Sequence, residues 1–198
     1  MHTMNQALTR KHSESIAMVA LFAALLAVMG LIPKIDLPLG VPITIQTLGV
    51  MLAGCLLGPR RGLQAMLLFM VAVAAGLPLL SGGRGGLGAF VAPTSGYLMG
   101  WVPAAFVTGL LMGALPTSTP LRAAGSAFVA SAVGCILVLY ACGIAGLMFF
   151  AKLSLAQAFW GNLIFIPGDL IKCALTALVV HSIARAMPDW HFGGRKIK

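Results

Sequence analysis

The amino-acid sequence predicts an all-α integral membrane protein of six transmembrane helices, and three observations carry that prediction. Of its 198 residues, 60% are hydrophobic and only 9% charged, with a mean hydropathy of +1.00. An ordinary soluble domain is roughly 45–50% apolar and ~25% charged. Proline, glycine and charged residues then punctuate the chain into apolar stretches, most of them near the ~20 residues that cross a hydrocarbon core of ~30 Å. Finally, the cations alternate with the gaps between stretches. With the N-terminus cytoplasmic, Arg10, Lys11, Arg60, Arg61, Arg122, Arg185, Arg195, Lys196 and Lys198 fall on that side, against Lys34, Arg84 and Lys152 outside, which is a positive-inside bias. The net charge of +9 is thereby accounted for by topology and contact with membrane lipids. No basic patch interleaved with aromatics suggests nucleic acid.

The elements follow in order within a single membrane domain, 1–198. A polar tail of about 1–13 precedes the first span, 14–33, which lacks the Ala-x-Ala site and soluble body expected of a removed signal peptide. Lys34, Asp36, Pro38, Gly40 and Pro42 break the chain after it. The second and third spans, 42–58 and 62–80, are short and joined by the tight hairpin Gly58-Pro59-Arg60-Arg61-Gly62. The glycine-rich stretch from Ser81 to Pro93 reads as a loop. The fourth span, 94–115, stops at Pro116-Thr117-Ser118-Thr119-Pro120; the fifth, 121–149, stops before Lys152 and Ser154; the sixth, 158–186, leads into a polar tail of about 187–198. Localisation in the cell inner (plasma) membrane, multi-pass with both termini cytoplasmic, follows from this topology.

The sixth span contains the feature most in need of explanation. In Ile164-Phe165-Ile166-Pro167-Gly168-Asp169-Leu170-Ile171-Lys172 a carboxylate and an ammonium sit three residues apart in an apolar stretch. A charge in hydrocarbon costs at least ~2.5–3.5 kcal/mol, so such residues face a bundle interior and serve a ligand, an ion or a proton. Positions i and i+3 share a helix face, so Asp169 and Lys172 present an acceptor and a donor to one cavity. In this orientation the pair lies in the outer half of the sixth span or near its middle, and the cavity opens outward, on the side of the loops Asp36 to Pro42 and Ser81 to Pro93. Thr44, Gln46 and Thr47 at the start of the second span, and Thr94, Ser95 and Tyr97 at the start of the fourth, add uncharged hydrogen-bonding groups. Apolar walls with a few placed polar groups suit a small amphipathic organic solute.

Five motifs in register, Val41-Pro42-Ile43-Thr44-Ile45-Gln46-Thr47, Gly58-Pro59-Arg60-Arg61-Gly62, Gly82-Gly83-Arg84-Gly85-Gly86-Leu87-Gly88, Ala92-Pro93-Thr94-Ser95-Gly96-Tyr97 and Ile166-Pro167-Gly168-Asp169-Leu170-Ile171-Lys172, closely resemble the BioY family over about residues 15–186. These are the substrate-binding S components of energy-coupling-factor (ECF) biotin transporters. The resemblance implies an S-component fold of six helices, an outward-facing vitamin pocket capped by the loops between helices 1–2 and 3–4, and biotin as the transported substrate. It implies partners too: a transmembrane coupling subunit and two ATPase subunits that hydrolyse the ATP, the whole S component toppling to turn its loaded pocket inward. The substrate-binding residues it indicates are Asp169, accepting from the ureido N–H groups, and Lys172, donating to a ureido or carboxylate oxygen. Gln46, Thr44, Thr94, Tyr97 and Gly88 are shell residues, with Arg84 as a second partner for the carboxylate. Family members usually carry Pro-Thr-Gly-Gly-Tyr where this chain has Pro93-Thr94-Ser95-Gly96-Tyr97. On the first helix, Ala20 with Ala24 and Ala23 with Ala27 form small-xxx-small pairs that the resemblance assigns to docking on the coupling subunit. Packing within the monomer, or a homo-oligomer, is the other use of such a face.

Several readings compete with these. Asp169 and Lys172 also suit mutual neutralisation, or a proton-coupled carrier in which they titrate; Gln46 and the threonines suit helix–helix bonding, Tyr97 an interfacial belt, Arg84 a solvated loop, and Arg60 with Arg61 topology anchors. An intramembrane enzyme using Asp169 as base lacks a second carboxylate, a Ser/His pair or ligands nearby, so no catalytic residue is assigned. Gly83, Gly85 and Gly88 spell G-x-G-x-x-G without the βαβ setting that a dinucleotide site needs. No G-x-x-x-x-G-K-[ST] occurs, so no ATPase is expected in this chain and no cofactor is assigned. Cys55, Cys135, Cys142 and Cys173 lie in apolar spans without C-x-x-C spacing and read as reduced packing residues. His2, His12, His181 and His191 are scattered or terminal, which argues against a metal.

Overall fold

A computed structural model describes the backbone of residues 2–36 and 41–194 and the side chains of 13–36 and 41–194. Pro38 and Gly40 of the first loop, and the cations Arg195, Lys196 and Lys198, therefore lie outside the described residues, as do the side chains of His2, Arg10, Lys11 and His12. Six helical rods are present among the described residues. They comprise α1 (His2–Gly30), α2 (Gln46–Leu57), α3 (Pro59–Ala74), α4 (Ser95–Ala114), a fifth rod of α5 (Pro120–Ala132), a π-helical turn Val133–Val138 and α6 (Leu139–Phe150), and a sixth of α7 (Leu155–Asn162), a 3₁₀ turn Leu163–Phe165 and α8 (Ile166–Ala186). Four rods are long and apolar enough to cross a membrane: the first from Ser13 to Gly30, α4, the 31-residue fifth and the 32-residue sixth.

The two short spans differ in kind. Helix α2 is apolar all round, and eleven of its twelve residues are buried. Such a helix belongs inside a bundle, and α2 is packed by α1, α3, α4 and α8. Encased in protein, it need not match the thickness of the lipid. Helix α3 ends at Ala74, short of the expected residue 80, because Gly76 takes φ +99° and turns the chain out of the helix. The expected hairpin is present. Gly58, at φ +82°, caps α2 and starts α3, with Pro59 in the first turn where its missing N–H costs nothing. The remaining boundaries fall within about four residues of expectation, apart from α1, which runs back through the polar tail to His2.

The core runs through Leu26, Val50, Met51, Met66, Phe69, Met112 and Leu139, all essentially without exposure. Large exposed apolar side chains, such as Ile16 and Leu21 on α1, Val71 on α3, Leu110 on α4, Leu137 on the fifth rod and Leu178 on α8, point outward from every rod except α2. That ring is the surface a bilayer covers. Small residues bring rods together where the core is thinnest. A Cβ at Gly96 would lie 2.7 Å from Gly146 Cα, and one at Gly100 would lie 2.8 Å from Cys142 Cβ, so α4 and α6 meet nearly backbone to backbone. The chain also folds back on itself after α8: Phe192 is buried, and Gly193 packs against Gly58 and Gly113.

Candidate functional site

Seven of the eight predicted ligand residues line one chamber of about 80 Å³. It lies between the segment 41–47 and the neighbouring ends and turns of α4, α6 and α8, at the end of the bundle opposite the 58–59 hairpin. Thr44, Gln46, Arg84, Thr94, Tyr97, Asp169 and Lys172 all reach it. Gly88 does not: Gly86, at φ +78°, donates its N–H to the Val73 carbonyl at 2.7 Å and turns the chain into the 3₁₀ turn Leu87–Phe90, leaving Gly88 exposed above the end of α3.

The charged pair is at the bottom. The 3₁₀ turn breaks the sixth rod so that α8 starts at Ile166, and Asp169 occupies its first turn, where the helix dipole favours a carboxylate. Lys172 Nζ donates to Asp169 Oδ1 at 2.8 Å and to Thr47 Oγ1 at 2.8 Å. Tyr140 donates its hydroxyl to Asp169 Oδ2 at 2.6 Å. With side-chain exposures of 7% for Asp169 and 12% for Lys172, the pair is almost dry yet held on both carboxylate oxygens. A buried charge costs least when it is paired and hydrogen-bonded in this way.

Gln46 spends its amide on the scaffold. Its Nε2 donates to the carbonyls of Leu26 and Leu79, each at 3.0 Å, and its Oε1 accepts from the backbone and hydroxyl of Ser81, both at 3.1 Å. It thus staples α1 to the loop after α3, and only its flank faces the chamber. Arg84 donates from Nη1 to Thr94 Oγ1 at 3.2 Å, while its Nε is buried without a partner. Tyr97 donates to Asn162 Oδ1 at 2.8 Å, and Asn162 in turn donates to the Ala158 carbonyl at 2.8 Å. Ser95 is fully buried with an unpaired hydroxyl, outside the chamber lining.

Tyr140 and Asn162 are the polar residues that sequence reasoning missed. Each stood out as a lone hydrogen-bonding group within an apolar span, where a buried hydroxyl or amide must find a partner. Their partners are distant in sequence and emerge only from the fold. Tyr140, Phe165 and Trp101, with Leu98 and Leu139, form the apolar walls; Phe165 meets both Tyr97 and Tyr140 edge to face. On α1, Ala20 and Ala24 are exposed, Ala27 is half-buried, and Ala23 is 8% exposed within the core. Thus Ala20 and Ala24 sit on the open face, and Ala23 packs inside the monomer.

The BioY family model matches residues 3–189. The chain is 47% identical over 184 residues to the biotin transporter BioY of Rhodobacter capsulatus, covering 88% of this chain and 95% of that one. It is 46% identical over 179 residues to the biotin transporter BioY of Rhizobium etli, covering 89% and 96%. Among solved structures, the S-component for biotin from an ECF-type ABC transporter superposes with a TM-score of 0.78 at 28% identity, covering 89% of this chain and 93% of that one.

Proposed function

We propose, from the premise that this chain belongs to the BioY family, that it is the biotin-binding S component of an ECF-type transporter and takes its substrate in the chamber above Asp169 and Lys172. The observation that carries the reading is the chamber's charge. Arg84 and Lys172 against Asp169 leave one net positive charge within largely apolar walls, which complements a solute with an apolar body and a single carboxylate. Biotin has that form: a ureido group with two N–H donors and a carbonyl, a thioether ring, and a valerate chain ending in a carboxylate.

In this reading Asp169 accepts from a ureido N–H with the lone pairs that Tyr140 and Lys172 leave free. Lys172 turns one of its N–H groups to a ligand oxygen, and the unpaired Arg84 Nε takes the carboxylate. Such charge-assisted bonds are strong in a dry site. Thr44, Thr94 and Tyr97 complete the shell, Gln46 fixes its frame, and Gly88 belongs to the loop that closes over it. At about 80 Å³ the chamber is far smaller than the ~300–1,000 Å³ of typical small-molecule sites. That size supports an outward movement of the 41–47 segment or the 81–94 loop on binding.

The positive-inside pattern supports a chamber open to the outside of the inner membrane, with both termini in the cytoplasm. Delivery inward rests on a coupling subunit and two ATPase subunits, the former meeting α1 at Ala20 and Ala24. Membership of a transporter family sets aside the intramembrane enzyme.

Equilibrium binding to the purified protein tests the proposal, with biotin, biotin methyl ester, thiamine and riboflavin as ligands. Selective biotin binding, and uptake that stops when the ATPases are lost but survives a protonophore, are expected. Failure to bind biotin overturns the substrate; protonophore-sensitive uptake overturns the mechanism in favour of a proton-coupled carrier.

A further inference from the structure

A second, larger cavity of about 760 Å³ opens at the opposite end of the bundle, beside the 58–59 hairpin. Its floor is apolar, with Met18, Leu56 and Leu57, and Trp190 stands on its wall. Its rim is charged with both signs: Arg60 and Arg61 from the first turn of α3, together with Asp189 and Glu14. Arg60, Arg61 and Asp189 make no hydrogen bond or ion pair among the described residues. The two adjacent guanidiniums line an open volume that also holds a carboxylate. Anchoring topology requires positive charge at this end, but it does not require a cavity or a carboxylate facing the cations.

We infer that this cavity binds the headgroup of a phosphoethanolamine lipid, with the phosphate on Arg60 and Arg61 and the ammonium on Asp189. Guanidinium matches phosphate oxygens in a forked geometry, and a free carboxylate supplies the acceptor that a primary ammonium needs. Asp189 beside the two arginines selects a headgroup that carries an ammonium as well as a phosphate; a headgroup without a cation leaves Asp189 unpaired. The location fits a lipid. The cavity adjoins Glu14 and Met18 of α1, whose face continues through the exposed Leu21, three residues on from Met18, so acyl chains continue along α1 where a free phosphate has nothing to cover. Trp190 lies where an indole settles at a membrane interface.

Native mass spectrometry of the purified protein, equilibrated with equal amounts of phosphatidylethanolamine, phosphatidylcholine and phosphatidylglycerol, tests the inference. One phosphatidylethanolamine should be retained about fivefold over either competitor, the preference that one part-exposed ion pair supplies. The preference over phosphatidylcholine should vanish in Asp189→Asn, and retention itself should fall in Arg60→Gln/Arg61→Gln. Biotin affinity should be unchanged in both, which shows the variants folded and separates this site from the chamber. Equal retention of all three lipids, preference for phosphatidylglycerol, full retention by the arginine variant, or displacement of the lipid by inorganic phosphate would each overturn it.

Discussion

Asp169 is held from two sides, and its neighbours should therefore separate by variant. In the proposed reading Asp169→Asn removes the carboxylate's charge and one of its two acceptor oxygens and leaves the Lys172 ammonium without its counter-ion, so biotin affinity should fall by more than tenfold, or about 1.4 kcal/mol. Tyr140→Phe removes only the bond that orients the carboxylate and should cost less, about 1 kcal/mol; a larger loss for Tyr140→Phe than for Asp169→Asn in a titration would reverse their roles. Arg84 is tested against the ligand: Arg84→Gln should weaken biotin several-fold, as losing a charge-assisted bond does, but leave biotin methyl ester unchanged. Equal losses for both ligands would detach Arg84 from the carboxylate. Gln46→Leu strands the Ser81 backbone N–H and hydroxyl in a buried site, which costs about 1–3 kcal/mol. It should lower the melting temperature in detergent far more than it lowers affinity at low temperature. The charged pair was legible in the sequence because charge in hydrocarbon is expensive, and Gln46 was placed at the chamber as an uncharged hydrogen-bonding group at the outer start of an apolar span, within a motif of the family it resembles. Its commitment to Leu26, Leu79 and Ser81 was not legible, since those partners become neighbours only after three elements pack.

Among the elements, the long rods were read well because a hydrocarbon core demands continuous apolar helix. The short ones were read less well. Helix α2 satisfies its backbone and side chains within protein, so its length obeys packing and not bilayer thickness, and the end of α3 is set by a left-handed glycine that hydropathy cannot register. The contact of α4 with α6 had a signal that the sequence reading passed over: Gly96-x-x-x-Gly100 is a small-residue pattern of the kind noticed on α1. Its partners Cys142 and Gly146 lie beyond a π-helical turn that shifts the register of the fifth rod. Gly146→Leu should drive these backbones apart and abolish both the monodisperse elution peak and biotin binding, while Gly168→Ala, in open space, should alter neither. A folded, binding-competent Gly146→Leu protein would show that the close approach is dispensable.

At the scale of the whole molecule, the chamber and the exposed face of α1 are separate surfaces, so binding and coupling should separate as well. Ala24→Trp, on the open side of α1, should reduce biotin uptake in cells with the coupling subunit and ATPases, yet leave equilibrium binding by the isolated protein within about twofold. Loss of both would mark a folding defect instead. The chamber's charge has an electrical consequence. Asp169 and Lys172, bonded at 2.8 Å, carry no net charge as a unit, so moving them across the membrane does no work against its potential. Arg84 is the uncompensated charge of the empty chamber, and a carboxylate bound there as proposed would cancel it. If the loaded chamber turns inward as proposed, its own groups carry no net charge across the membrane, whereas an empty chamber turning back outward from a negative interior carries Arg84 and climbs by as much as ~2.3 kcal/mol per 100 mV.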